Sequence, residues 1–111
     1  MESASPFPYR GPEALHAPIV AALERVVDPE VAMNIVDVGL VYGVDVDDTR
    51  LKVLMTMTSA ACPVADVIVE EVESELDRVA PRELQVSVEL VWEPPWTAER
   101  MSARAKSFMG W

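Results

Sequence analysis

One cysteine, Cys62, and one histidine, His16, stand in this sequence of 111 residues. A lone cysteine cannot close an internal disulfide, so nothing points to an oxidising compartment. A self-contained zinc or iron–sulfur centre draws on about four cysteine or histidine ligands, and Cys62 and His16 are two, far apart in the chain. His16 lies at the loose beginning of a helical stretch, where a surface role is expected and a Cys–His catalytic pair has little support. Basic residues are scarce as well: nine Lys and Arg against nineteen Asp and Glu leave a formal charge of −10. Such a surface repels phosphate backbones and anionic lipid, which argues against nucleic-acid and membrane partners. Solubility is the first use of the acidity; steering of basic partner proteins, or attraction of metal cations, is the second. No apolar run approaches the roughly 20 residues of a membrane helix. The opening Met1-Glu2-Ser3-Ala4-Ser5-Pro6 has neither the basic flank nor the apolar stretch of a signal peptide, so a cytoplasmic protein is expected. Gly-rich phosphate loops, a Ser-centred elbow and a His-Glu zinc motif are absent from the sequence.

Half of the residues are hydrophobic and a quarter are charged, a balance that builds one globular domain. Residues 1–11, with Pro6, Pro8 and Gly11, show no periodicity and are expected to be a flexible tail before a single domain at 12–111. Pro12 suits a first helical turn. Leu15, Ile19, Ala22 and Val26 then share a helical face. Pro18 interrupts that stretch, so the regular helix is expected from about Ala17 to Asp28-Pro29-Glu30. A connecting segment, 31–39, leads to Leu40, Tyr42, Val44 and Val46, which alternate as a strand. Asp47-Asp48-Thr49 makes a turn, and Leu51, Val53, Met55 and Met57 alternate again, giving an antiparallel hairpin. Val64, Ile68, Val72 and Leu76, with Ala65 and Val79, form the stripe of a second helix, stopped by Pro81. Leu84, Val86, Val88, Leu90 and Trp92 make a third strand, parallel to the second through a β-α-β crossover. After Glu93-Pro94-Pro95-Trp96, Thr97 caps a short helix with Met101, Ala105 and Phe108 on one side. The expected fold is therefore α/β (α+β): a two-layer sandwich in the order α-β-β-α-β-α, with helices packed on a three-stranded mixed sheet. Trp92, Trp96 and Trp111 are expected to pack and cover rather than to form a binding platform.

The chemistry concentrates at Thr58-Ser59-Ala60-Ala61-Cys62-Pro63. Pro63 suits a first helical position, which makes Cys62 the cap residue of the second helix. Unpaired backbone N–H groups and the positive end of the helix dipole favour a thiolate there. A thiol of ordinary pKa, near 8.5, is only about 3% ionised at pH 7, and a fall of about two units makes it mostly thiolate. Asp66 nearby opposes such a fall. The loop also lies beyond the carboxyl end of a parallel strand, where ligands gather. Free cysteine is equally a frequent core residue, so position alone leaves a reactive thiol and a buried side chain both open. Asp28 and Glu30 flank a rigid turn and could serve as acid/base groups facing Cys62 or help hold a metal. A solvated helix stop explains them too.

Together these stretches resemble a known family. Asp28-Pro29-Glu30, Asn34-Ile35-Val36-Asp37-Val38-Gly39-Leu40-Val41-Tyr42, Thr58-x-x-x-Cys62-Pro63 and Trp92-Glu93-Pro94-Pro95-Trp96-Thr97 are similar, in order, to the PaaD/SufT-type iron–sulfur assembly domain, the family of the eukaryotic cytosolic iron–sulfur targeting factor. The resemblance spans about residues 13–110. It implies the α/β fold, a role in maturing iron–sulfur proteins, and Cys62 as the reactive cysteine, with Asp28, Glu30, Asp37 and Thr58 lining its pocket. It further implies no tightly bound cofactor but a transient iron or iron–sulfur cluster on Cys62, and scaffold and client proteins as partners. The phenylacetate branch usually carries a cysteine-rich C-terminal extension; none follows Trp111, so a stand-alone, general member is expected.

Three functions follow from these readings. In the first, an assembly or targeting factor rather than an enzyme uses Cys62 transiently while its body docks partners, any cluster being shared with another chain or a small thiol. In the second, a thiol enzyme uses Cys62 as nucleophile and Asp28 or Glu30 as base. In the third, an interaction module keeps Cys62 in its core. A homodimer would cover the edges of a three-stranded sheet.

Overall fold

The two alternating runs at residues 40–57 pair as expected and form the middle of the sheet in the computed structural model, which describes residues 7–29, 32–57 and 62–110. In chain order these residues form β1 (Tyr9–Arg10), α1 (Glu13–Glu24), β2 (Val27–Asp28), β3 (Met33–Asn34), α2 (Ile35–Val38), β4 (Val41–Val46) and β5 (Arg50–Met55). Then come α3 (Cys62–Val79), β6 (Gln85–Leu90), a 3₁₀ turn (Ala98–Arg100) and α4 (Ala103–Met109). The main sheet has the order β1-β4-β5-β6. Strands β4 and β5 are antiparallel, with Val44 opposite Val53, and β5 and β6 are parallel, with Val53 opposite Val88.

The α/β class and the mixed sheet hold, but the sheet has four strands, not three. The extra strand comes from the stretch expected to be a loose tail: Tyr9 and Arg10 run parallel to β4, opposite Val44 and Asp45. Phe7 is buried in the core, and the Val44 N–H donates to the Pro8 carbonyl at 2.9 Å. The Tyr9 hydroxyl donates to the Pro12 carbonyl at 2.6 Å, and its ring centroid lies 4.7 Å from that of His16. A strand of two residues is too short to show a period, so the sequence carries no sign of it.

Helix α1 begins at Glu13, four residues before the expected start near Ala17, with Pro12 at the cap rather than in the first turn. Pro18 lies inside the second turn, where its missing N–H leaves the Ala14 carbonyl without its usual partner and the helix continues. Ile19, Ala22, Leu23 and Val26 pack inward from this helix and its end, against Ala65, Ile68, Val72 and Leu76 of α3. Leu51, Val53 and Met55 supply the sheet side of the core. Each fully buried side chain of this size contributes about 1.5–3 kcal/mol.

Residues 33–39, expected as plain connection, hold structure instead. Strands β2 and β3 form a small antiparallel hairpin, with Asp28 opposite Met33. Ala32, in its turn, has a left-handed φ of 59°. Helix α2 follows at once. Asn34 caps it, accepting from the Asp37 N–H at 2.9 Å, and Gly39 ends it at φ 88°. A Cβ at Gly39 would collide with the Arg100 carbonyl oxygen, so both conformation and close approach demand glycine there.

In β4 the register shifts between Val41 and Gly43. Leu40, Val41, Val44 and Val46 are therefore buried, while Tyr42, expected on the core face, is only half-buried. The C-terminal helix also differs. Thr97 precedes only the 3₁₀ turn and makes no side-chain cap bond; Ser102 caps α4, its Oγ accepting from the Ala105 N–H at 3.0 Å. Met101 and Ala105 are buried as expected, but Phe108 is 71% exposed.

Candidate functional site

The topology gathers the sequence motifs at one end of the sheet. Val41 pairs with Met55 and Met55 with Leu90, so β4 starts where β5 and β6 finish. A chain of backbone hydrogen bonds extends that end: Thr56 N–H to the Leu40 carbonyl at 2.8 Å, Leu40 N–H to Ile35 at 3.0 Å, and Ile35 N–H to Val26 at 2.9 Å. The β2–β3 hairpin, α2, the end of β5 and the end of β6 thus meet there, and with them the described parts of the Asp28, Asn34–Tyr42 and Trp92–Thr97 motifs.

Asp37 is the polar centre of this region. Its Oδ2 accepts from Asn34 Nδ2 at 2.9 Å and from Arg104 Nη2 at 2.6 Å, and its carbonyl accepts from the Ser102 N–H at 2.7 Å. With Asn34 Oδ1 on the Asp37 N–H, the pair makes a reciprocal cap of α2. Burial pushes the Asp37 carboxyl up, but hydrogen bonds from Arg104, Asn34 and Ser102, with the Arg104 charge, outweigh it and hold the carboxyl below its ordinary range.

The Trp-Glu-Pro-Pro-Trp segment folds onto the same strip. Trp96 Nε1 donates to the Val38 carbonyl at 2.8 Å, and the Tyr42 hydroxyl to the Pro94 carbonyl at 2.5 Å. Arg100 stacks its guanidinium 4.0 Å from the Tyr42 ring centre and donates from Nε to the Gly39 carbonyl at 3.3 Å. Residues 94–104 are thus clasped across residues 37–42. This explains two of the four motifs as one structural joint, and Trp96 as a packing residue; Trp92 is about half exposed.

The individual candidates divide. Cys62 is the first residue of α3, one position inside the helix rather than at its cap. Asp28 is buried at 1% exposure in β2, not solvated at a helix stop. Asp37 is committed to Asn34 and Arg104. Glu30 and Thr58 lie outside the described residues. His16 is half-buried beside Tyr9. Two residues escaped the sequence reading. Arg104 pairs with Asp37 across 67 positions, which no local pattern reveals. Thr56 is buried at 1% exposure, and its Oγ1 has no hydrogen-bond partner among the described residues. Its signal is a polar residue directly after the alternating strand, between Met55 and Met57 and two positions before Thr58.

The family model described as iron–sulfur cluster assembly protein matches residues 16–90, which hold three of the four motifs. The chain belongs to this family. Among family relatives, the Fe-S protein maturation auxiliary factor YitW of Bacillus subtilis is 48% identical over 99 residues, 88% of this chain and 96% of the relative. The Fe-S protein maturation auxiliary factor SufT of Staphylococcus aureus is 43% identical over 86 residues, 77% of this chain and 97% of its own. A crystal structure of a domain of unknown function from Bacillus anthracis superposes with a TM-score of 0.80 at 43% identity, covering 88% of this chain and 93% of that one. The iron–sulfur assembly family thus accounts for the fold and for the order of its motifs.

Proposed function

We propose that this chain is an auxiliary factor in the maturation of iron–sulfur proteins, acting through the Cys62 thiol while its body docks the proteins that supply or receive the cluster. The observation that carries the maturation role is the 48% identity to YitW over nearly the whole of both chains. The thiol reading draws on position. Cys62 opens a helix of 18 residues, and the first-turn N–H groups of a helix have no intrahelical acceptor. Those groups and the dipole favour an anion, here a thiolate, which is the form that binds iron and attacks sulfur.

Iron or a cluster is cargo on this reading. A cluster takes about four thiolate ligands, and this chain has one cysteine, so the remaining ligands come from a partner chain or a small thiol. Such a shared ligand set is held briefly and passed on, which suits an auxiliary factor better than a store. Asp28, Glu30 and Thr58 complete the surroundings of the thiol in this proposal, one of the two carboxylates accepting its proton as the sulfur binds iron.

The test is complementation of a bacterium deleted for its own family member. The readout is the activity of a cluster-dependent dehydratase divided by its protein level. The wild-type chain restores that ratio and Cys62→Ser, produced at equal level with an unchanged circular dichroism spectrum, leaves it near the deletion value. Full restoration by Cys62→Ser would remove the thiol from the mechanism; no restoration by the wild type would remove the maturation role.

A further inference from the structure

A cavity of about 360 Å³ opens between the β2–β3 hairpin and α4, on the outer side of the Asp37 joint. Val27, Met33 and Phe108 give it apolar walls, and Glu24, Asp37 and Arg104 stand around it. Val27 is 46% exposed and Phe108 71%, so two of the exposed large apolar side chains of the described residues lie on one rim. Singly exposed apolar residues are ordinary; apolar residues gathered around a concavity mark a place where another molecule binds. The volume is at the lower end for ligand sites and suits one large side chain with its immediate neighbours.

Charge selects the occupant. Glu24 and Asp37 against Arg104 leave the wall one net negative charge, and Arg104 is already turned onto Asp37 at 2.6 Å. The whole chain carries −10. A second copy would bring the same charge to the contact and be repelled, as would nucleic acid or an anionic membrane. A cationic segment is drawn in.

We infer that this cavity docks a segment of a partner protein that presents one large apolar side chain next to a lysine or arginine. The apolar side chain enters between Val27 and Phe108, and the basic neighbour meets Glu24. The inference goes beyond the Cys62 reading and does not depend on it, since none of these residues belongs to the start of α3.

Two probe peptides test it, acetyl-Lys-Trp-Lys-amide and acetyl-Glu-Trp-Glu-amide, titrated into the full isotope-labelled chain at low salt. The basic peptide is expected to shift the signals of Val27, Met33 and Ala105 saturably and to bind about fivefold or more tighter than the acidic one, the preference shrinking as salt is added. Phe108→Ala and Val27→Thr each weaken the basic peptide by about tenfold. Unchanged signals from Leu51 and Val53 show that both variants remain folded. Cys62→Ser binds the peptide as the wild type does, so failure of the thiol proposal and failure of this one are told apart. Equal binding of the acidic peptide, shifts absent from the cavity, or indifference to both substitutions would overturn the inference. So would the same shifts appearing on simple concentration of the chain, because a second copy would then be the occupant.

Discussion

The Thr56 hydroxyl is buried with no partner among the described residues, at the point where β5 hands the chain on toward Cys62. A buried hydroxyl left unpaired costs about 1–3 kcal/mol. Thr56→Val keeps the shape and removes the cost, so stability in urea is expected to rise by about 1 kcal/mol; a loss of that size would mean that the hydroxyl is satisfied. If Thr56 serves the cargo or a partner, the same variant gains stability and loses maturation activity together. The residue scale also shows where sequence reasoning stops. Asp28 and Asp37 were both legible as motif carboxylates. Their surroundings were not, because Asp28 sits at 1% exposure and Asp37 faces an arginine 67 positions away.

At the scale of elements, the joint between α2 and the C-terminal segment is the feature most open to measurement. It is small: a helix of four residues, held by a reciprocal cap on one side and by Arg104 and Ser102 on the other. The folded Asp37 carboxyl lies below its unfolded value, so its contribution is fully present above the unfolded pKa of about 3.9 and fades as pH falls through the lower folded value. Arg104 is 77% exposed, which discounts the ion pair and leaves the hydrogen bonds as the larger share. Asp37→Asn is therefore expected to cost about 1 kcal/mol at pH 7, with the gap to the wild type closing below about pH 4. Denaturant midpoints of the two proteins between pH 2 and 7 check this; a gap constant across that range would contradict it. Helix α1, α3, the hairpin and the parallel third strand were legible because each spans enough residues to show a period. The two-residue strands β1, β2 and β3 and the four-residue α2 were not, since each is too short to show a period and β1 also depends on a partner strand far along the chain. The bulge at Val41–Gly43 is a case between. Alternation identified the strand, but the extra residue put Val41 in the core and gave Tyr42 to the joint with Pro94 and Arg100.

For the whole molecule, the sheet acts as a frame whose one end collects the β2–β3 hairpin, α2 and the Trp96 segment. Parallel pairing of β5 and β6 sends both chain segments out at that end, one toward the start of α3 and the other into the Trp96 joint. The −10 charge surrounds this end with a field that favours basic partners and works against a thiolate. On the proposed mechanism, activation of Cys62 comes from the first turn of α3, against the general field. Because the chain has one cysteine, its alkylation is read without interference. The measurement that tests the account most directly is the rate of iodoacetamide reaction of the folded chain from pH 5 to 10. A rate that rises with a midpoint near or below about pH 7, against about 8.5 for an ordinary thiol, is the expected result. A midpoint at 8.5 or above, or no reaction until the chain unfolds, would contradict the proposal that this protein works through Cys62.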